Sequence, residues 1–210
     1  MNIYPMKFPY FLQKAFPTVM FTKTVIPHTV YLTFDDGPTP GITEWVLDLL
    51  DEFDAGATFF CIGDRIRRYK KTINKILEHG HVIANHSYFH RDGWYLTTRE
   101  FVEDVERTET FIQNFTRNKK LFRPPYGHIT FMQYEALKKL DYKIVLWTNM
   151  SGDFSPDLNV ENTIWSVSKK TKAGDILLFH DSKQAQKNLK AILPKILYNL
   201  KLKGYEFGTL

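Results

Sequence analysis

The sequence predicts an α/β fold, a distorted and incomplete (β/α)7-type barrel of mostly parallel strands. Three observations carry this. Short β-branched and aromatic runs alternate with stretches of helical spacing from residue 29 onward. The runs are almost continuously apolar, as strands are when both faces are buried. The connections are of ordinary length. Such alternation admits a barrel or an open parallel sheet. About seven units in roughly 180 residues favour the compact, incomplete barrel.

The elements follow in order. Thr29-Val30-Tyr31-Leu32-Thr33-Phe34 is the first strand, broken by Asp35-Asp36-Gly37-Pro38. Val46, Leu49, Leu50 and Phe53 have helical spacing and place a helix over 41–54. Ala57-Thr58-Phe59-Phe60-Cys61-Ile62 is the second strand, ending at Gly63. A helix around 70–79 stops at Gly80, a residue suited to a left-handed helix end. His81-Val82-Ile83-Ala84 is the third strand. Thr97-Thr98-Arg99-Glu100 resembles a capping box with Thr97 as the cap, opening a helix over 97–116. The fourth strand, 120–123, is stopped by Pro124-Pro125. A helix over 130–140 leads to a fifth strand over 143–147. A helix over 160–171 precedes the sixth strand, 175–179, and a helix over 186–202 precedes a candidate seventh at Tyr205-Glu206-Phe207.

A chain of 210 residues suits one substantial core, placed at 29–210, with 1–28 as an N-terminal arm packed on it. The arm carries aromatic patches broken by Lys7, Lys14, Lys23 and four prolines. It shows no compact apolar stretch followed by a small-residue cleavage site, so the default expectation is cytoplasmic. No run approaches the roughly 18 apolar residues of a spanning helix. Cys61 is the only cysteine, which excludes an internal disulfide and a thiolate zinc site. It is expected in the strand core. The net charge of +5 is spread over scattered lysines rather than gathered in a stripe, so no nucleic-acid partner is expected.

The polar residues just after each strand are Asp35 and Asp36, His86 and His90, Arg123 and Tyr126, Asp153, and His180 and Asp181. In a βα barrel these loops open at one face, where active sites of such folds lie. His86 and His90, four apart, suit one metal if a carboxylate joins them. Adjacent acids point in different directions, so one of Asp35 and Asp36 can bind metal while the other serves as base. Asp181 is expected to be a helix N-terminal acid. Trp94 and Tyr126 are candidates to offer flat rings to a ligand, while Trp147 is expected in the core. His79 and His81 lie at the far end of the third strand and are read as structural.

Thr33-Phe34-Asp35-Asp36-Gly37-Pro38, His86-Ser87-Tyr88-Phe89-His90, Arg123-Pro124-Pro125-Tyr126 and Leu178-Phe179-His180 stand in one order. That order and spacing resemble the NodB-homology polysaccharide deacetylases, carbohydrate esterase family 4. Thr58-Phe59-Phe60 and Asn85 also fit. The resemblance implies that Asp36, His86 and His90 hold one divalent metal, zinc foremost and cobalt as the alternative. It implies Asp35 as general base, Arg123 as its partner, the Tyr126 N–H as an oxyanion donor and His180 as the acid for the leaving amine. Leu178 would line the acetyl pocket. The chain departs from the family after the fifth strand, where Met150 stands in place of a frequent acid and Phe154 in place of a Trp. Asp153 is then expected to pair with His180 or Arg123, and Phe154 to wall the sugar site.

The function implied is hydrolysis of N-acetyl groups on N-acetylglucosamine-containing polysaccharide, peptidoglycan- or chitin-like. The alternatives are an O-acetyl xylan esterase and a carbohydrate- or metal-binding protein without turnover. The implied partner is an acetylated polysaccharide, and the chain is expected to be a monomer. Such a substrate points to the cell envelope, against the default drawn from the N-terminus.

Overall fold

The computed structural model describes residues 18–23, 26–116 and 120–210. Its centre is a parallel sheet built from β1 (Thr29–Asp35), β2 (Ala57–Cys61), β3 (Val82–Asn85), β4 (Leu121–Phe122), β5 (Lys143–Ile144), β6 (Asn149–Met150) and β7 (Ile176–His180). The order is β5-β4-β3-β2-β1-β7-β6, and a short β8 (Glu206–Gly208) pairs with the start of β1. The helices are α1 (Ile42–Glu52), α2 (Gly63–Arg68), α3 (Lys70–Glu78), α4 (Thr98–Ile112), α5 (Phe131–Lys139), α6 (Val160–Lys170) and α7 (Gln186–Leu202). The seven strands curl into a half-barrel, the incomplete barrel that the alternation predicts.

Strand periodicity sorts β1 between two cores. Val30, Leu32 and Phe34 join the layer shared with α1 and α7, where Val46, Leu50, Ile192 and Leu193 are buried. Tyr31 faces the barrel interior with Phe60, Trp147, Ile176 and Leu178. By the same period Thr33 and Asp35 point inward, so the interior ends in a carboxylate at the strand's C-terminal end.

The sheet is left open between β5 and β6, and the described part of the N-terminal segment bridges the gap. Met20 N–H donates to Ile144 O at 2.8 Å, and Leu146 N–H donates to Met20 O at 2.9 Å. Lys23 N–H donates to Gly174 O at 2.9 Å. Phe21 is buried in the interior cluster. Residues 18–23 therefore pack on the domain. Residues 1–17 and 24–25 of the expected arm lie outside the described residues.

Most elements fall where the pattern places them, and Thr97 caps α4 in a capping box with Glu100. Three expectations need correction. The strand expected over 143–147 ends at Ile144, because Arg123 captures the next two carbonyls. Its Nε donates to Val145 O and its Nη2 to Leu146 O. The chain thus leaves the β4 ladder and resumes as β6 beside β7. The six-residue α2, opening at Gly63 and carrying three arginines, has too little apolar periodicity to be read from sequence. Asp181 is not at a helix N-terminus, since α7 begins only at Gln186; it is fully buried and accepts from Thr43 Oγ1 at 2.5 Å.

Candidate active site

The C-terminal strand ends open into a cleft of about 950 Å³. Its lining includes Asp35, Asp36, His86, His90, Trp94, Tyr126, Met150, Phe154, Leu178 and His180. Arg123 and Asp153 lie buried behind this wall. All of the candidate residues therefore meet at one place.

Asp36, His86 and His90 bring one ligand atom each to within 4.8 Å of one another. His86 donates from Nδ1 to Arg123 O at 2.8 Å, which fixes the tautomer and leaves Nε2 facing Asp36 Oδ1 at 3.6 Å. His90 Nε2 lies 3.1 Å from the same oxygen. Asp36 Oδ1 is buried and makes no well-angled hydrogen bond to either ring. A buried carboxylate oxygen without a hydrogen-bond partner, flanked by two imidazole nitrogens, fits a divalent cation. Burial drives His86 down to about 4, which leaves it the neutral ring that a metal requires. Burial would raise the Asp36 carboxyl, but the close approach of the His90 ring and the charges of His180, His86 and His90 hold it well below the usual range.

The loops are held in uncommon backbone geometry. Asp36, Ser87, His90 and Tyr126 have φ of 76°, 60°, 55° and 59°. Such residues persist only where the surroundings over-determine them. Asn85 Oδ1 accepts from Ser87 N–H at 3.0 Å, and Ser87 Oγ accepts from His90 N–H at 3.1 Å. Asp104 Oδ2 accepts from the N–H groups of Tyr88 and Phe89. A ladder of side chains thus shapes the loop that carries the two histidines.

Asp35 and His180 each have a buried partner. Arg123 Nη1 donates to Asp35 Oδ1 at 2.6 Å and to Thr33 Oγ1 at 2.9 Å. His180 Nδ1 lies 2.7 Å from Asp153 Oδ1, and His180 N–H donates to Asp153 Oδ2 at 2.8 Å. Asp153 therefore pairs with His180 and not with Arg123. Burial opposes charge on His180, but Asp153 and then Asp36 and Asp35 outweigh it and push the ring up to about 9. The Phe154 ring meets His180 edge-on at 5.2 Å.

These features outline a chemistry before any comparison: a candidate cation site, a carboxylate beside it and an imidazole whose charged form is favoured by its carboxylate partner. A model of the polysaccharide deacetylase family matches residues 22–145. The chain belongs to the polysaccharide deacetylases. It is an enzyme of that class, carbohydrate esterase family 4. It is 36% identical over 181 residues to a peptidoglycan-N-acetylglucosamine deacetylase of Bacillus cereus, covering 86% of this chain and 85% of that one. A bifunctional xylanase/deacetylase of Pseudobutyrivibrio xylanivorans is 32% identical over 190 residues, covering 90% of this chain and 31% of that one. Among solved structures, the Bc1960 peptidoglycan N-acetylglucosamine deacetylase, in complex with 4-naphthalen-1-yl-N-oxidanyl-benzamide, superposes with a TM-score of 0.87 at 27% identity. That match covers 97% of this chain and 95% of that one.

Two residues of this deacetylase site, Thr33 and His128, were given no role from its sequence. Thr33 steadies Arg123, and its place inside the barrel follows from strand alternation. His128 stacks on Trp94 with ring centroids 3.6 Å apart and 2° between planes, and Asp92 braces it from 2.9 Å. Nothing local in the sequence marks His128. Asp181, expected at a helix N-terminus, instead packs beneath the site against Gly37: a Cβ on Gly37 would lie 2.1 Å from Asp181 Oδ2. Burial pushes the Asp181 carboxyl up to about 8.

Proposed function

We propose that this enzyme removes acetyl groups from N-acetylglucosamine units of an envelope glycan, peptidoglycan foremost. The observation that supports this most is the convergence in one cleft of the Asp36–His86–His90 cluster, the Asp35–Arg123 pair and the His180–Asp153 pair. Asp36, His86 and His90 would hold a divalent ion, zinc foremost, which when bound supplies a more acidic water and polarises the acetyl carbonyl. Asp35 takes the proton of the attacking water, with Arg123 holding its other oxygen. The Tyr126 N–H donates to the oxyanion of the tetrahedral species, a contact of about 3 kcal/mol in such sites. His180 gives its proton to the departing nitrogen. Leu178 lines the acetyl methyl, and Trp94, Tyr126 and Phe154 flank the sugar.

The strong His180–Asp153 pair favours an amide over an ester, because an amine leaving group needs the proton more than an alkoxide does. The xylanase/deacetylase relative supports O-deacetylation as the second reading. Acetate release from N-acetylglucosamine oligomers, peptidoglycan and acetylated xylan separates the two. Faster release from the amide substrates, lost in Asp35→Asn, is expected. Release from xylan alone would replace this reading with the second, and no release from any substrate would replace it with binding without turnover.

A further inference from the structure

A second cavity of about 600 Å³ adjoins the cleft. The two share Ile62, Arg65 and His90 in their walls, so a polymer bound in one passes directly into the other. The character of the second is different. Arg65, Arg68 and Lys183 face it against a single acid, Asp64. Asp64 is already taken, since Arg67 and Arg68 both pair with it. Arg65 donates one hydrogen bond, to Thr39 Oγ1 at 2.5 Å, and among the described residues neither Arg65 nor Lys183 has a carboxylate partner at ion-pair distance. Tyr69, Tyr88 and Phe89 supply the flat remainder of the wall. The Arg107 guanidinium lies 3.8 Å from the centre of the Tyr88 ring, which adds to the positive field.

From this juxtaposition we infer that the cavity is an anion subsite for a carboxylate carried by the glycan itself, on the sugar next to the one that is deacetylated. Cations gathered around one concave site repel one another, and an opposite charge placed between them relieves that repulsion. A guanidinium held by one hydrogen bond still has donors for a carboxylate in fork geometry, and an exposed ammonium adds a point charge beside it. The volume admits one substituted sugar ring, and the aromatic wall suits its faces. The anion is one attached to the polymer, because Ile62, Arg65 and His90 belong to the wall of the cleft as well as to that of the cavity. A neutral N-acetylglucosamine polymer leaves both cations unsatisfied, so the enzyme discriminates between acidic and neutral glycans.

This inference rests on the cleft being the deacetylase site, and the test keeps the two apart by measuring binding as well as turnover. The metal-loaded Asp35→Asn protein is titrated with three probes. They are a peptide-free strand alternating N-acetylglucosamine with its 3-O-lactyl derivative, the same strand with its carboxyls amidated, and a chitin oligomer of equal length. The acidic strand is expected to bind roughly tenfold or more tighter than the amidated one. Adding Lys183→Ala or Arg65→Ala is expected to remove most of that preference, and so is raising the salt toward 1 M. Equal binding of the acidic and amidated strands overturns the subsite, and so does a preference that survives both substitutions. Wild-type turnover on the acidic strand, the probe the subsite favours, reads the deacetylase assignment separately. If it is absent while the acidic preference holds, only the assignment of the cleft fails.

Discussion

His86 and His180 face each other across one cleft and are driven to opposite protonation states. His86 is buried against a neutral carbonyl, and burial takes it down to about 4. His180, with a side chain 13% exposed, is held up at about 9, because its partner is the fully buried carboxylate of Asp153. Both rings use Nδ1 for that partner and turn Nε2 toward the cleft. The difference lies in what Nδ1 meets: a carbonyl prepares a neutral ligand, and a carboxylate prepares an acid. One side of the cleft is thereby suited to a cation and the other to proton donation, with Asp35 between them.

The strongest way to break this division is to truncate each ring. His86→Ala is expected to lose the metal together with activity, read by metal content after dialysis. His180→Ala is expected to keep the metal and to lose amide cleavage by roughly 10²–10⁴-fold, with a smaller loss on esters. Metal loss in His180→Ala, or equal losses on amide and ester, would merge the two roles.

The next test changes only the partner. Asp153→Asn removes the charge that holds His180 up, so the alkaline limb of the amide pH–rate profile is expected to fall from near 9 toward about 6.5. The sign for stability agrees. A folded pKa above the unfolded value contributes stability that is complete below about 6.5 and lost as pH rises through about 9. His86 has the opposite slope: its folded value lies below the unfolded one, so its contribution is lost as pH falls toward about 4. Urea unfolding between pH 6 and 9.5 is therefore expected to lose its slope selectively in Asp153→Asn.

A smaller effect is expected at the rim, where Trp94 is 60% exposed and braced by His128 rather than by charge. Trp94→Ala is expected to raise KM roughly three- to tenfold on oligomers while leaving kcat within about twofold. A kcat loss as large as that of His180→Ala would move Trp94 into the chemistry.

The parts of this site legible in the sequence were those carried by local order. Strand ends could be found by pattern, and the polar residues following them converge in any βα barrel. Asp153 could be placed near the site, but its choice between His180 and Arg123 was not legible, because both sit on other strands. The break at 145–147 was hidden for a related reason: a strand-like run gives its carbonyls to a buried arginine 22 residues earlier. Asp181 reads as an ordinary acid in sequence, and only the packing of Gly37 and Thr43 makes it a buried carboxyl. The cavity beside the cleft likewise draws its lining from α2 and from three separate loops.

The most direct test of the central claim is calorimetric titration of zinc into chelator-stripped protein, run beside acetate release from an N-acetylglucosamine oligomer. One ion per chain is expected, with release rising in proportion to occupancy and both lost in His86→Ala. Undiminished release from the stripped protein, or an ion that binds equally well without His86, would contradict the account.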